Sequence, residues 1–299
     1  WQEVGLIALA GAVSYGGLVQ RMTDSGGEYL FLSRVIHPVA GFIAGWVSLL
    51  AGFTGAIAFA ALAFESYAFP TRPAWLPPGA AACAMVAFAA VLHGVRVSMG
   101  AVAQNFVVVV KVLMIVGFLL FSGYVAATAG AAPAPPPATP FSFIVFAGSL
   151  VWISLSYSGF NAAVYVAGET KDAKRTAPRA LLIGTAIVMV LYVALNAAFV
   201  YLPPFEAVVG QQDVAAAAAQ AIGGDTLALI IRVITVTALV TSVFSLVMAG
   251  PRVYAKMADD GVFPRFFRFG EAGAPTAAIV GQAALAIALI LLSDLRGLL

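Results

Sequence analysis

The chain is 299 residues long, 62% apolar and only 9% charged, with a mean hydropathy of +1.01. A soluble globular domain carries about 25% charged residues, so this balance excludes a water-soluble globule, a disordered chain, a collagen-like fibre and a disulfide-stapled secreted domain. The net charge of +2 is too small and too dispersed for a nucleic-acid partner, and the single cysteine, Cys83, can form no intrachain disulfide.

A bilayer core of about 30 Å is crossed by about 20 apolar residues of helix. Eight segments meet or approach that length: about 4–20, 38–65, 80–96, 105–127, 141–168, 179–202, 226–249 and 275–292. Runs this long without two-residue alternation read as helices and not as barrel strands. The composition therefore predicts an all-α polytopic membrane protein with one transmembrane domain over residues 1–299. The opening Trp1-Gln2-Glu3 has no basic region of a signal peptide, and a start without Met leads us to expect further residues ahead of it.

Few ionisable residues fall inside these segments. Glu65 and His93 stand at segment ends, where water is expected nearby, and Arg232 near the outer end of the seventh, where its stem can snorkel. Lys111 sits about five residues inside the fourth segment, roughly 8 Å along a helix. An intramembrane cation is a functional-site candidate by default, against the simpler reading that it snorkels to the surface.

The fifth segment is 28 residues long, and its middle reads Ser154-Leu155-Ser156-Tyr157-Ser158-Gly159-Phe160-Asn161. Glycine and several small polar residues at mid-membrane weaken a continuous helix. Such breaks leave backbone N–H and C=O groups free to meet a substrate, although Gly and Ser also serve close helix packing. The seventh segment carries Thr235, Thr237, Thr241, Ser242 and Ser245. Its hydroxyls at i, i+3 and i, i+4 can bind a cation, hydrogen-bond a lysine or bond back to their own helix.

If the loops alternate sides, one side collects eleven cations: Arg21, Arg34, Arg96, Lys171, Lys174, Arg175, Arg179, Arg252, Lys256, Arg265 and Arg268. The other has Arg72 and Arg296, with the stiff Pro133–Pro137 connector. Positive charge marks the cytoplasmic side, so the loops after the first, third, fifth and seventh segments are assigned to the cytoplasm. No zinc-protease, nucleophile-elbow or phosphate-loop motif is present, and two histidines do not build a typical zinc site. Neither enzyme activity, nor a metal, nor a cofactor is expected.

Four stretches carry a resemblance. They are Asp24-Ser25-Gly26-Gly27-Glu28-Tyr29 with Gly41–Trp46; Asn105-Phe106 through Lys111-Val112-Leu113; Tyr157-Ser158-Gly159-Phe160-Asn161 with Gly168-Glu169-Thr170-Lys171 and Ala177–Leu181; and Arg252 through Gly261 with Pro264. In order and spacing they resemble the amino acid–polyamine–organocation (APC) superfamily of permeases. Aligned in this way, the eight segments match that family's helices two to nine.

The resemblance implies part of a five-plus-five inverted-repeat, LeuT-like transporter fold, with the family's first and tenth helices outside the matched stretch. It implies a substrate held by backbone groups around Ser156, Tyr157, Ser158 and Gly159, with apolar contact from Phe160. Half-helix dipoles favour the carboxylate at an N-terminal end and the ammonium at a C-terminal end. Leu155 stands where some relatives place an aromatic gate. Lys111 matches a fifth-helix lysine that takes the place of a sodium ion, with Ser242 and Ser245 as eighth-helix partners. It would carry the coupled proton or make the protein a sodium-independent exchanger.

The expected function is secondary active transport of amino acids across a cell membrane by alternating access. The implied partners are a small-molecule amino acid substrate, the lipid bilayer and, where transport is proton-coupled, a proton, with the oligomeric state open. A polyamine or organic-cation permease is the rival within transport; a non-transporting subunit or receptor is the rival outside it.

Overall fold

The computed structural model describes residues 1–95, 97–129, 140–211, 213–270 and 275–293. Arg96, the Pro133–Pro137 connector and Arg296 lie outside the described residues. Within them the elements are α1 (Gln2–Arg21), α2 (Gly27–Val35), α3 (Pro38–Val47), α4 (Thr54–Ala68), α5 (Ala80–Val95), α6 (Val97–Ala129), α7 (Phe143–Ser156), α8 (Ala173–Tyr201), α9 (Phe205–Val208), α10 (Val214–Asp259) and α11 (Thr276–Leu292), with no strand among them. Five helical segments are long and apolar enough to cross a membrane, and three shorter apolar helices accompany them.

Local chemistry accounts for many of the boundaries. Glu3 opens α1 and Arg21 closes it, each matching the sign of the helix dipole. The α3 helix starts with Pro38 and is capped by His37, whose Nδ1 accepts from the Val39 N–H at 3.2 Å. A π-helical turn, Ser48–Phe53, joins α3 to α4 within what the sequence presents as one apolar run. The long α10 is divided by Gly223 and Gly224, the latter at φ 65°, so its first two turns form a separate helix.

Two compact units emerge. The first comprises Trp1–Ser14, Val110–Asn161 and Arg179–Ile234; the second comprises Tyr15–Val109, Ala162–Pro178 and Thr235–Leu299. In the second, α4, α5, α10 and α11 pack through Ala58, Ala61, Ala89 and Ala286, together with Ile57, Val86, Val243 and Ile279. Lipid tails are as apolar as these side chains, so burial alone gives helices little reason to associate in a bilayer. Small residues that admit close backbone contact take over that role. In the first, Phe118, Ala198, Leu227 and Ile231 form one cluster, and Val4, Ala8 and Tyr157 another.

Glu65 and His93 depart from expectation, since each is only 3% exposed. Glu65 closes the N-terminal end of α5. Its carboxylate accepts from the backbone N–H groups of Gly79 (2.9 Å), Ala81 (2.9 Å) and Ala82 (3.1 Å), and from Arg72 Nη2 at 3.3 Å. A carboxylate at a helix start meets both the unpaired donors and the dipole. Glu65→Leu is expected to destabilise the protein by about 3 kcal/mol or more, because two buried and one half-buried N–H group lose their acceptor. Glu65→Gln, which keeps one acceptor oxygen, is expected to lose less. Unfolding in detergent micelles measures both; wild-type stability in the Leu variant would contradict the capping role. His93 instead packs edge-on against Phe244, with ring centroids 5.9 Å apart.

Candidate functional site

The fifth apolar segment is not one helix. It runs as α7 to Ser156, turns over Tyr157–Asn161, and resumes as a 3-10 helix, Ala162–Glu169. Three alternating serines and Gly159 supply the reason: Ser154 Oγ bonds back to the Leu150 carbonyl (2.7 Å) and Ser156 Oγ to that of Trp152 (3.2 Å), drawing on acceptors of the helix ladder. Beyond Ser156 the bonding shortens to i→i−3, from Tyr157 N to Ser154 O and from Ser158 N to Leu155 O.

Of the five residues expected to meet substrate, Ser156 ends α7 and the other four stand in this turn, but they differ in what they present. Ser158 and Gly159 are exposed, and a Cβ added at Gly159 would touch nothing within 4 Å. Tyr157 is 4% exposed: its ring lies against Trp1 and Tyr192, at centroid distances of 6.2 and 5.2 Å, and its hydroxyl donates to the Trp1 carbonyl at 3.4 Å. Its backbone is bonded within the turn, the N–H donating to Ser154 O and the carbonyl accepting from the Phe160 N–H, each at 3.1 Å. Ser156 keeps its carbonyl engaged, accepting from the Tyr192 hydroxyl at 3.2 Å. Phe160 lies against α1, where a Cβ at Gly11 would come within 2.6 Å of its Cε2. Trp1 and Tyr192, which anchor the turn, carried no sequence signal beyond being aromatic.

The expected ion-coupling residues fall in different units. Lys111 lies half-buried on α6 in the first unit. Ser242 and Ser245 lie on α10 in the second, where Ser242 Oγ donates back to Ala238 O at 3.0 Å. Ser245 Oγ accepts from the amide of Gln104, which also donates to the Thr241 carbonyl at 3.3 Å. Gln104 is 7% exposed and was missed in the sequence because it stands just ahead of the fourth apolar run.

A second cluster, wholly within the second unit, gathers stretches that lie far apart in the chain. Gly26 (φ 128°) and Gly27 (φ 54°) bring the 24–29 loop against the 3-10 helix, where the Tyr165 ring fills the space in which a Gly27 side chain would stand. Tyr165 donates its hydroxyl to Glu28, and the Gly168 N–H donates to Ser25 Oγ at 3.1 Å. Glu169 then takes both prongs of Arg252, Nε at 2.6 Å and Nη2 at 2.7 Å, while Nη1 reaches the Met248 carbonyl. Arg252 is 2% exposed. A buried guanidinium is tolerated only when it is paired and fully hydrogen-bonded.

At the end of α10, Lys256 pairs with Asp24 at 3.2 Å, and Asp260 accepts from the Tyr29 hydroxyl at 2.9 Å. Burial, reinforced by the Asp260 carboxylate, pushes the Tyr29 phenol well above its ordinary range, so it remains a proton donor. The 3-10 helix that leaves the break is thereby held by a tyrosine, a backbone donor and an ion pair.

A helical chain of this hydropathy, with an apolar segment broken midway by a serine–glycine turn, has the architecture of a multi-pass membrane transporter. Residues 1–296 match the amino acid permease family, and the chain belongs to that family. It is 28% identical over 211 residues to the b(0,+)-type amino acid transporter 1 of Mus musculus, covering 67% of this chain and 42% of the relative. A branched-chain amino acid permease of Lactococcus lactis is 25% identical over 282 residues, covering 87% and 60%. A low-affinity putrescine importer of Escherichia coli is 28% identical over 186 residues, covering 59% and 40%. The chain thus spans about half the length of these relatives.

Proposed function

We propose that this protein moves amino acids across a membrane by alternating access, as a proton-coupled transporter or an exchanger. The observation that carries the reading is the interrupted helix. The turn at Tyr157–Asn161 breaks the helical ladder, bonding at i→i−3 through the N–H groups of Tyr157, Ser158 and Phe160, and main-chain groups at such a break would meet a small zwitterion as those of an intact helix could not. Ser156, Tyr157, Ser158 and Gly159 would contribute main-chain groups and Phe160 an apolar wall. Lys111 would be the charge that changes state or partner during the cycle. The membrane in view is the cell membrane.

The test is uptake of radiolabelled leucine, arginine and putrescine into proteoliposomes holding the full protein, with and without an imposed proton gradient. Saturable uptake of an amino acid, inhibited by other amino acids, is expected. Lys111→Met is expected to abolish the gradient-driven part. Unchanged gradient-driven uptake in that variant would remove Lys111 from coupling, and no saturable amino-acid uptake by the wild type would overturn the reading. The likeness to a putrescine importer supports a second reading as a polyamine permease, which saturable putrescine uptake indifferent to amino acids would establish.

A further inference from the structure

The second unit keeps its acids for itself. In the segments 21–36, 162–178 and 252–270, Asp24 pairs with Lys256, Glu169 with Arg252, Asp259 with Arg268, and Asp260 with Arg34 and Lys256, while Glu28 takes the Tyr165 hydroxyl. Among the described residues this leaves Asp172 as the one acid of these segments without a cation or a hydroxyl partner. Five exposed cations are left over: Arg21, Lys171, Lys174, Arg175 and Arg265. The three segments are drawn together by the Ser25–Gly168, Asp24–Lys256 and Glu169–Arg252 contacts, and Arg268 is tied back to the Ala258 carbonyl at 3.1 Å. The surplus charge thus belongs to one face.

Two further features bear on what this face meets. Lys171, Lys174 and Arg175 flank the start of α8 at Ala173, where the helix dipole disfavours cations. Large apolar side chains also stand exposed beside the charges: Val35 and Ile36 next to Arg34, and Phe266 next to Arg265, each above 60% exposed. Clusters of about four to eight Lys and Arg at the cytoplasmic ends of spans attract anionic headgroups. Apolar side chains among the charges would sit at the level of the acyl-chain boundary.

We propose that this face binds the anionic phospholipid headgroups of the surrounding leaflet, selecting them over zwitterionic ones. The bias of positive charge toward the cytoplasm sets the side of the membrane; the headgroup preference is a separate property, set by the five cations that no acid among the described residues neutralises. It does not depend on the transported substrate.

The test is electron paramagnetic resonance of spin-labelled phosphatidylglycerol and phosphatidylcholine around the full protein in phosphatidylcholine vesicles. At low salt the labelled phosphatidylglycerol is expected to associate about threefold or more strongly, and the ratio is expected to fall toward one in high salt. Replacing all five cations by Gln should bring it to about one, whereas Lys171→Arg with Lys174→Arg should preserve it. Equal association of the two lipids with the wild type would overturn the proposal, as would a preference that ignores salt or survives neutralisation in a folded variant. A face built for a soluble acidic protein would give the first of these results.

Discussion

Glu169→Ala is expected to lower the stability of the protein by about 3–5 kcal/mol, because it strands the guanidinium of Arg252 in a site with almost no access to water. The reverse change, Arg252→Met, is expected to cost less. Glu169 retains 24% side-chain exposure and can be rehydrated when its partner leaves, and Met fills much of the volume that Arg occupied. The double variant should therefore be more stable than the sum of the two single losses requires, by an interaction energy of about 1–3 kcal/mol. Reversible unfolding in mixed micelles, followed by circular dichroism, gives all three values. Losses below about 1 kcal/mol in both single variants would show that the bidentate pair is not what holds the 3-10 helix to α10.

Gly27→Ala is the second change expected to have a large effect, at about 2–5 kcal/mol. Two independent costs combine. The residue sits at φ 54°, where an L side chain pays roughly 1–2 kcal/mol. The new methyl would also stand 2.3 Å from Tyr165 Cε1, a collision typical of overpacking at about 1–3 kcal/mol. Combining Gly27→Ala with Tyr165→Ala removes the collision and leaves the backbone cost. That pair is therefore expected to be markedly non-additive in the same unfolding measurement, and strict additivity would contradict the contact.

The membrane-spanning, all-helical class was legible because it depends on apolar length and composition alone, which no tertiary contact can reverse. The interruption near Ser156 was legible for a related reason: Ser154, Ser156, Ser158 and Gly159 compete with the helix ladder locally, and the structure ends α7 among them. The π-helical turn at Ser48–Phe53 was not, since Ser-Leu-Leu-Ala-Gly-Phe sits inside a run with nothing to mark a change of hydrogen-bond register. Glu65 was misread as a water-facing end residue because its partners, the N–H groups of Gly79, Ala81 and Ala82, follow a proline-rich loop whose path the sequence does not give. Helical spacing likewise says which hydroxyls of α10 share a face but not that Gln104 meets Ser245. Of the cluster, Gly27, Glu169 and Arg252 entered through family resemblance in separate stretches, and Tyr165 did not enter at all. That they meet is a property of the fold.

The central claim is that the turn at Tyr157–Asn161 lines the substrate path. Cys83 is the one cysteine of these 299 residues, so in a background with Cys83→Ala and any cysteine outside them replaced, Ser158→Cys places a single exposed thiol in the turn. The measurement is the rate at which a small methanethiosulfonate reagent labels that thiol in the full protein, with and without a saturating amino acid that the protein transports. Substrate is expected to slow labelling severalfold, while a thiol placed at exposed Arg265 labels at an unchanged rate. Equal labelling at Ser158→Cys with and without substrate would contradict the claim.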